Sequence, residues 1–164
     1  MLNVLSEAEE CLSQLLKSED GWTSLDVDYD PPRVERLWRP FGDGYRLYLH
    51  RIHPCTQALY HPHPWPSAIK IVSGGYEMGV GFGSGFGPDE PPLAVTLHLS
   101  VGSTYEMTHP DGWHYVLPSV SNLSVMVTGA RWGRWAPEPT KKLLPLKDQE
   151  VQSLLAEFRT HYPR

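Results

Sequence analysis

Cysteine is scarce in this chain: Cys11 and Cys55 are the only two among 164 residues. They lie far apart and form no CxxC, so neither a disulfide framework nor a zinc ribbon can be read from them, and a reducing compartment fits best. An excess of positive charge is missing as well. The formal net charge is -5, and no basic run or stripe supplies the counterion release that drives nucleic-acid binding, so nucleic acid is not expected as a partner. Nowhere do about 18 apolar residues run together, as a membrane-crossing helix requires. The start, MLNVLSEAEECLSQLL, carries Glu7, Glu9 and Glu10 where a signal peptide needs a basic start and a continuous apolar stretch. The expectation is a cytoplasmic protein without membrane association.

What is present argues for a packed core. Hydrophobic residues make up 40% of the chain and charged residues 20%, with six Trp and eight Tyr, which is not the composition of a disordered segment. The length is that of one domain, residues 1–164. Leu2, Leu5, Ala8, Leu12, Leu15 and Leu16 recur at helical spacing and predict a helix over 2–17, with Asp20-Gly21 as the stop. Asp148 is a candidate cap for a second short helix at about 149–160, with Leu154, Leu155 and Phe158 on one face. Both helices are expected to pack on the outside of a sheet.

Between them 16 Pro and 14 Gly, counted over the whole chain, punctuate short apolar or alternating runs, the pattern of an all-β sandwich or barrel over about 33–135. Strands are predicted near 45–52, 68–72, 76–82, 94–99, 104–107, 114–117 and 123–128. Gly74-Gly75 is expected to make a tight hairpin between the second and third of these. The stretch GSGFGPDEPP from Gly83 reads as an exposed loop, and WAPEPTKKLLPL as a surface strap to the last helix.

The sharpest chemical feature is HPHPWPSAIKIVSGGYEMGVG, beginning at His61. Side chains two apart in a strand share a face, so His61 and His63 can present two imidazoles to one metal ion. Taken alone, an HxH is better explained by two surface histidines in a Pro-rich turn. A third histidine follows in THPDGWHYVLPSVSNLSVMV, where the Pro110-Asp111-Gly112 turn delivers His114 into a segment that continues apolar.

These two segments resemble the motifs of the cupin superfamily (RmlC-like barrels). The family's first motif, G-x5-HxH-x3,4-E-x6-G, is similar to His61, His63, Ser67 and Gly74. Its second, G-x5-PxG-xx-H-x3-N, is similar to Gly102, Pro110, Gly112 and His114, with two extra residues before the proline and one fewer after the glycine. The resemblance covers roughly residues 45 to 130. It implies an all-β, double-stranded antiparallel β-helix (the cupin or jelly-roll barrel) with short N- and C-terminal helices added here, whose mouth holds Fe, Mn, Ni, Zn or Cu on His61, His63 and His114. The chain departs from the pattern at the glutamate, whose place falls to Ser67 or Ala68.

A neutral three-imidazole set leaves a dipositive ion its full charge and open positions for anionic ligands or dioxygen. Such a set resembles the thiol dioxygenases of the cysteine dioxygenase type, which implies Fe(II) as the cofactor and a small anionic substrate; Zn, Mn or Ni remain alternatives. The segment LWRPFGDGYRLYLHRI resembles the stretch where that branch keeps a carboxylate-binding arginine, and Arg39 or Arg46 is the counterpart. PDGWHYVL also resembles the region around the distal iron-binding histidine of JmjC-type 2-oxoglutarate hydroxylases, but no HxD or HxE pair precedes it, so 2-oxoglutarate is not expected.

Tyr48, Tyr76, Met78, Trp65 and Trp113 are candidates to line the barrel, although aromatics at strand spacing are commonly plain core. Tyr48 is a candidate catalytic group and Tyr76 a candidate substrate contact. His109 is a candidate acid–base group or alternative ligand, and Glu77 a fourth ligand if the interior lies on its side. His50, His53, His98 and His161 have ordinary structural readings. The functions to be separated are an Fe(II) dioxygenase, a Zn, Mn or Ni isomerase, lyase or hydrolase, and a non-catalytic small-molecule binder. Exposed edge strands lead to the expectation of a homodimer.

Overall fold

A computed structural model describes residues 1–83, 93–133 and 141–163. The expected loop after Gly83 and the first part of the strap lie outside them. In chain order the elements are α1 (Leu2–Leu15), β1 (Thr23–Val27), β2 (Val34–Phe41), β3 (Tyr45–Ile52), β4 (His61–Pro62), β5 (Ser67–Ser73), β6 (Gly75–Phe82), β7 (Leu93–Ser100), β8 (Thr104–Met107), β9 (Gly112–Leu117), β10 (Asn122–Thr128) and α2 (Asp148–His161). The strands form a six-stranded sheet in the order β1-β2-β3-β10-β5-β8 and a four-stranded sheet in the order β4-β9-β6-β7, with every pairing antiparallel. This is the all-β cupin barrel with short terminal helices that the sequence implies.

Period-two alternation gives the larger sheet two unlike faces. On its outer face Leu37, Leu47, Leu49, Ala68, Val72, Leu123, Val125 and Val127 join Leu5, Leu12 and Leu16 of the N-terminal region and Leu154, Leu155 and Phe158 of α2 in one core. The helices form because their apolar stripes fit that face, each large side chain stabilising by about 1.5–3 kcal/mol on burial. Asp148 is the first helical residue of α2 rather than its cap; Lys147 holds the cap position, and its backbone N–H donates to the Glu150 carboxylate at 2.9 Å.

The inner face meets the smaller sheet. Ile52 and Ile71 of one sheet pack against Tyr76, Met78 and Val116 of the other and close the barrel at one end. The expected Gly74-Gly75 hairpin is not formed, since β5 and β6 belong to different sheets. The two glycines instead carry the chain across a corner. A Cβ on Gly74 (φ 73°) would meet the Ser121 carbonyl oxygen at 2.7 Å, and one on Gly75 the Leu99 carbonyl oxygen at 2.5 Å. Three strands, β1, β2 and β4, lie outside the seven predicted from the sequence. The strap is partly core: Leu146 is buried and Leu144 bridges Asp26.

Candidate metal centre

The short strand β4 pairs with β9 so that His61 lies opposite His114, and period two brings His63 to the same face. The segment after β4 is held on its other side by the chain leaving β10: Gly129 N–H donates to the Pro66 carbonyl at 2.9 Å and Trp132 N–H to the Pro64 carbonyl at 3.0 Å. His114 is delivered by the turn expected before it, closed by Gly112 N–H to the His109 carbonyl at 3.1 Å. The structure thus brings the three histidines together, their donor atoms all within 4.8 Å of one another.

The Nε2 atoms converge. His114 Nε2 is 3.0 Å from His63 Nε2 and 3.1 Å from His61 Nε2. Two nitrogens about 2.1 Å from one ion are about 3.0 Å apart when they subtend a right angle, so this spacing suits adjacent positions of an octahedron. The distal nitrogens support that reading. His61 Nδ1 lies 3.1 Å from the Leu59 carbonyl, which can only accept, so Nδ1 carries the proton and Nε2 a bare lone pair. His63 Nδ1 lies 2.7 Å from Ser67 Oγ, and His114 Nδ1 is buried without a partner among the described residues. If His63 holds its proton on Nδ1 as well, two lone pairs face His114 Nε2, which can donate to only one of them. A cation satisfies all three, and the donor set fits a divalent metal.

Burial is the first cause that lowers the pKa of each of the three. For His63, pushed down to about 3, and for His114 the neighbouring imidazoles add to it, and the Arg36 charge also lowers His61 and His63. All three are therefore neutral near pH 7, the protonation state of a metal ligand. Ser67 is 0% exposed, and its hydroxyl pairs with His63 and orients that ring.

The other predicted residues fall in different places. Arg39 shares the outer face with Leu37, its guanidinium over the Trp22 ring at 5.4 Å, so its assignment as a substrate contact is corrected: the sheet separates it from the interior. Arg46 stands exposed at the rim of the inner face, its guanidinium 5.0 Å from the Trp38 ring centroid. Tyr48 lies on the inner wall, with its ring against Arg36, His50 and Trp38. Tyr76 is buried in the same interior, its hydroxyl 2.9 Å from that of Tyr105, whose ring centroid lies 6.3 Å from that of His114. Burial pushes Tyr105 up to about 12 and Tyr76 well above the usual tyrosine value, so both are neutral donors.

His109 and Glu77 are corrected as extra ligands. The His109 side chain is 58% exposed; its ring leans on Phe82, and its Nδ1 accepts the Asp111 N–H at 3.1 Å within the turn. Glu77 faces outward, opposite Tyr76 and Met78, and accepts from Tyr115 Oη at 3.0 Å.

Sequence reasoning missed Arg36 and took His50 for an ordinary histidine. Both lie on the inner face, with Arg36 Nε donating to His50 Nε2 at 2.9 Å and its guanidinium 5.3 Å from the Tyr48 ring centroid. The alternation of Arg36 with Trp38, and of Tyr48 with His50, was the available signal.

No protein-family model matches the chain, and no curated protein matches its sequence. Solved structures do. The chain is similar to hydroxypropylphosphonic acid epoxidase from S. wedmorenis, with TM-score 0.51 at 11% identity, over 68% of this chain and 57% of that one. It is similar to Fe(II) HppE to the same degree, TM-score 0.51 at 11% identity over 68% and 58% of the two chains. An RmlC-like cupin from Shewanella frigidimarina gives TM-score 0.49 at 14% identity, over 68% and 87%. At these identities the likeness is one of fold, and the chain spans little more than half of the epoxidase.

Proposed function

We propose that this chain is a metal-dependent cupin holding one divalent ion on His61, His63 and His114, and that it works as a mononuclear non-haem Fe(II) dioxygenase on a small anionic molecule. The observation that carries the reading is the convergence of three neutral Nε2 donors, with no carboxylate joining the cluster among the described residues, beside the inward-facing Arg36 guanidinium. Iron bound there supplies a Lewis-acidic, redox-active centre with positions open to substrate and dioxygen.

The remaining work falls to the chain's own residues. Arg36, which meets no carboxylate within ion-pair distance among the described residues, attracts an anionic group in place of the forecast Arg39. Tyr105, neutral and joined to Tyr76, offers a hydroxyl on the wall near His114. Trp65, about 6.0 Å from His63 ring to ring, and Trp38 restrict water and favour a substrate with an apolar portion. The fold of an Fe(II) protein, HppE, supports iron as the first metal to try.

The test is anaerobic loading with Fe(II), metal analysis, and oxygen uptake on a panel of small thiols and carboxylic acids. One iron per chain with substrate-dependent oxygen consumption is the expected result. Failure to retain iron, or turnover that needs Zn, Mn or Ni but no oxygen, would replace the dioxygenase with an isomerase, lyase or hydrolase. The homodimer is a further part of this proposal: β7 lies at the end of its sheet and exposes Val95 (56%) and Leu97 (39%). Light scattering of the purified chain decides it.

A further inference from the structure

Three rings stand in a row beside the centre. His61, His63 and Trp65 each precede a proline, Pro62, Pro64 and Pro66, and a residue before proline is kept out of the helical region and held extended. Extended residues two apart share a face, so the three side chains leave the segment on one side. The rings follow that rule. His61 and His63 lie 5.8 Å apart with their planes at 26°, and His63 and Trp65 lie 6.0 Å apart with their planes at 22°. Trp65 is the third rung of a ladder whose first two rungs belong to the metal centre.

The backbone under that third rung is fixed from both sides. Trp132 N–H donates to the Pro64 carbonyl at 3.0 Å and Gly129 N–H to the Pro66 carbonyl at 2.9 Å. The rung itself is a donor without an acceptor. An indole N–H donates one hydrogen bond and accepts none, and a buried one ordinarily finds a partner. Trp22 gives its Nε1–H to the Leu15 carbonyl at 3.3 Å, and Trp113 gives its own to the Gly83 carbonyl at 2.9 Å. Trp65 Nε1 is buried with no partner among the described residues. Ser67, the next residue on the same face, turns its hydroxyl to His63 Nδ1 at 2.7 Å. A buried donor left unmet costs stability, and it is kept where a ligand brings the acceptor.

The chemistry of the centre says what that ligand is. Three neutral imidazoles leave a divalent ion its whole charge, so the positions they do not fill draw anions. An anion held there has outer lone pairs that need donors in place of the water they left.

We propose, resting on the reading of His61, His63 and His114 as a metal centre, that Trp65 is a ligand-binding residue of that centre: its indole N–H donates to an anion that fills an open position on the His63 side. The donor also sets a preference. It holds a ligand that turns a lone pair toward Trp65 and rejects one that turns an N–H or O–H there.

The experiment records 15N–1H NMR spectra of the zinc-loaded full chain while sodium azide is added, for the original sequence and for W65F. The chain has six Trp, and the indole signal missing from W65F is that of Trp65. Nuclear Overhauser contacts to the His63 ring identify the same signal in the original chain, so its shift is read whether or not the variant folds. The signal should exchange slowly with water and move with azide to saturation, further than any other indole signal. W65F keeps an aromatic ring against His63 and removes the N–H. Its zinc affinity, read by chelator competition, should stay within about threefold of the original, while azide binding weakens about tenfold or more.

The inference is overturned if azide at about 100 mM leaves the Trp65 signal unmoved, or if W65F binds azide as the original chain does. A folded W65F that loses zinc and azide together also overturns it, because the indole then acts by packing on His63. Zinc stoichiometry separates these outcomes from failure of the underlying reading. No zinc uptake by the original chain sinks the metal centre and this inference with it, whereas one zinc per chain and an unmoved Trp65 signal sinks this inference alone.

Discussion

The two faces of the six-stranded sheet hold arginines, one buried and one half-buried, under opposite conditions. On the outer face Arg51, 9% exposed, bonds Glu35, Glu157 at 2.6 Å and Ser153 at 3.0 Å, and Arg33 and His53 share the same Glu35. Each member of this network has a charged or polar partner, and the network fastens α2 to β2 and β3. On the inner face Arg36 has a neutral histidine and an aromatic ring. A matched buried pair contributes to the specificity of the fold, whereas an unmatched buried cation costs stability and is kept where a ligand completes it. The same strands thus separate a face built for the fold from a face built for a guest.

The contrast can be broken most completely at the imidazoles. H114A should abolish stoichiometric divalent-metal binding by elemental analysis while leaving the helical circular dichroism of the outer layer intact. Loss of that helical signal would mean the two faces are not separable. E35A strips the outer network of its shared anion and should cost about 3–5 kcal/mol in urea unfolding, with metal stoichiometry unchanged.

Next comes pH. His50, His61, His63 and His114 are all held below the ordinary histidine value in the folded chain, with burial the first cause for each. Below about pH 6.5 the unfolded chain binds protons that the folded chain refuses, so stability falls with falling pH, by up to about 1.4 kcal/mol per pH unit for each such histidine. For His63 the decline continues toward about 3. Melting temperatures of metal-free protein from pH 7.5 to 5.0 should fall, and a flat profile would contradict the neutral burial. S67A removes the hydroxyl that orients His63 and should weaken metal about 10- to 100-fold without preventing it, as read by chelator competition. R36M sharpens the comparison with the smallest thermodynamic change: stability within about 1 kcal/mol of the original, or higher, with binding of the anionic substrate gone.

The parts of this design that were legible share a physical origin. His61, His63 and His114 stand in segments where period two and a Pro-Asp-Gly turn dominate, so their convergence followed from local rules. The strands β3, β5, β6 and β10 were likewise readable, because apolar residues recur closely within each and turn signals bound them. The strand β2, VERLWRPF, was not. It carries charge on both faces, Glu35 and Arg39 outside and Arg36 inside, so no apolar alternation announces it, and Pro40 argues against a strand. Missing β2 meant missing the partner that gives His50 its role. The Gly74-Gly75 corner failed differently. Local chemistry fixed the positive φ at Gly74, but whether the chain folds back or crosses to another sheet depends on strand partners far away in sequence.

The pairing of β4 with β9 joins ligands 51 and 53 residues apart. Closing a loop of that length costs entropy long before the contact returns any stabilisation, so the three imidazoles meet late, when most of the barrel already exists. An ion bound by them finds little to grip in the folding transition state. Its kinetic signature is therefore one-sided: metal should prolong the life of the native barrel against unfolding while leaving the rate at which the barrel forms nearly unchanged.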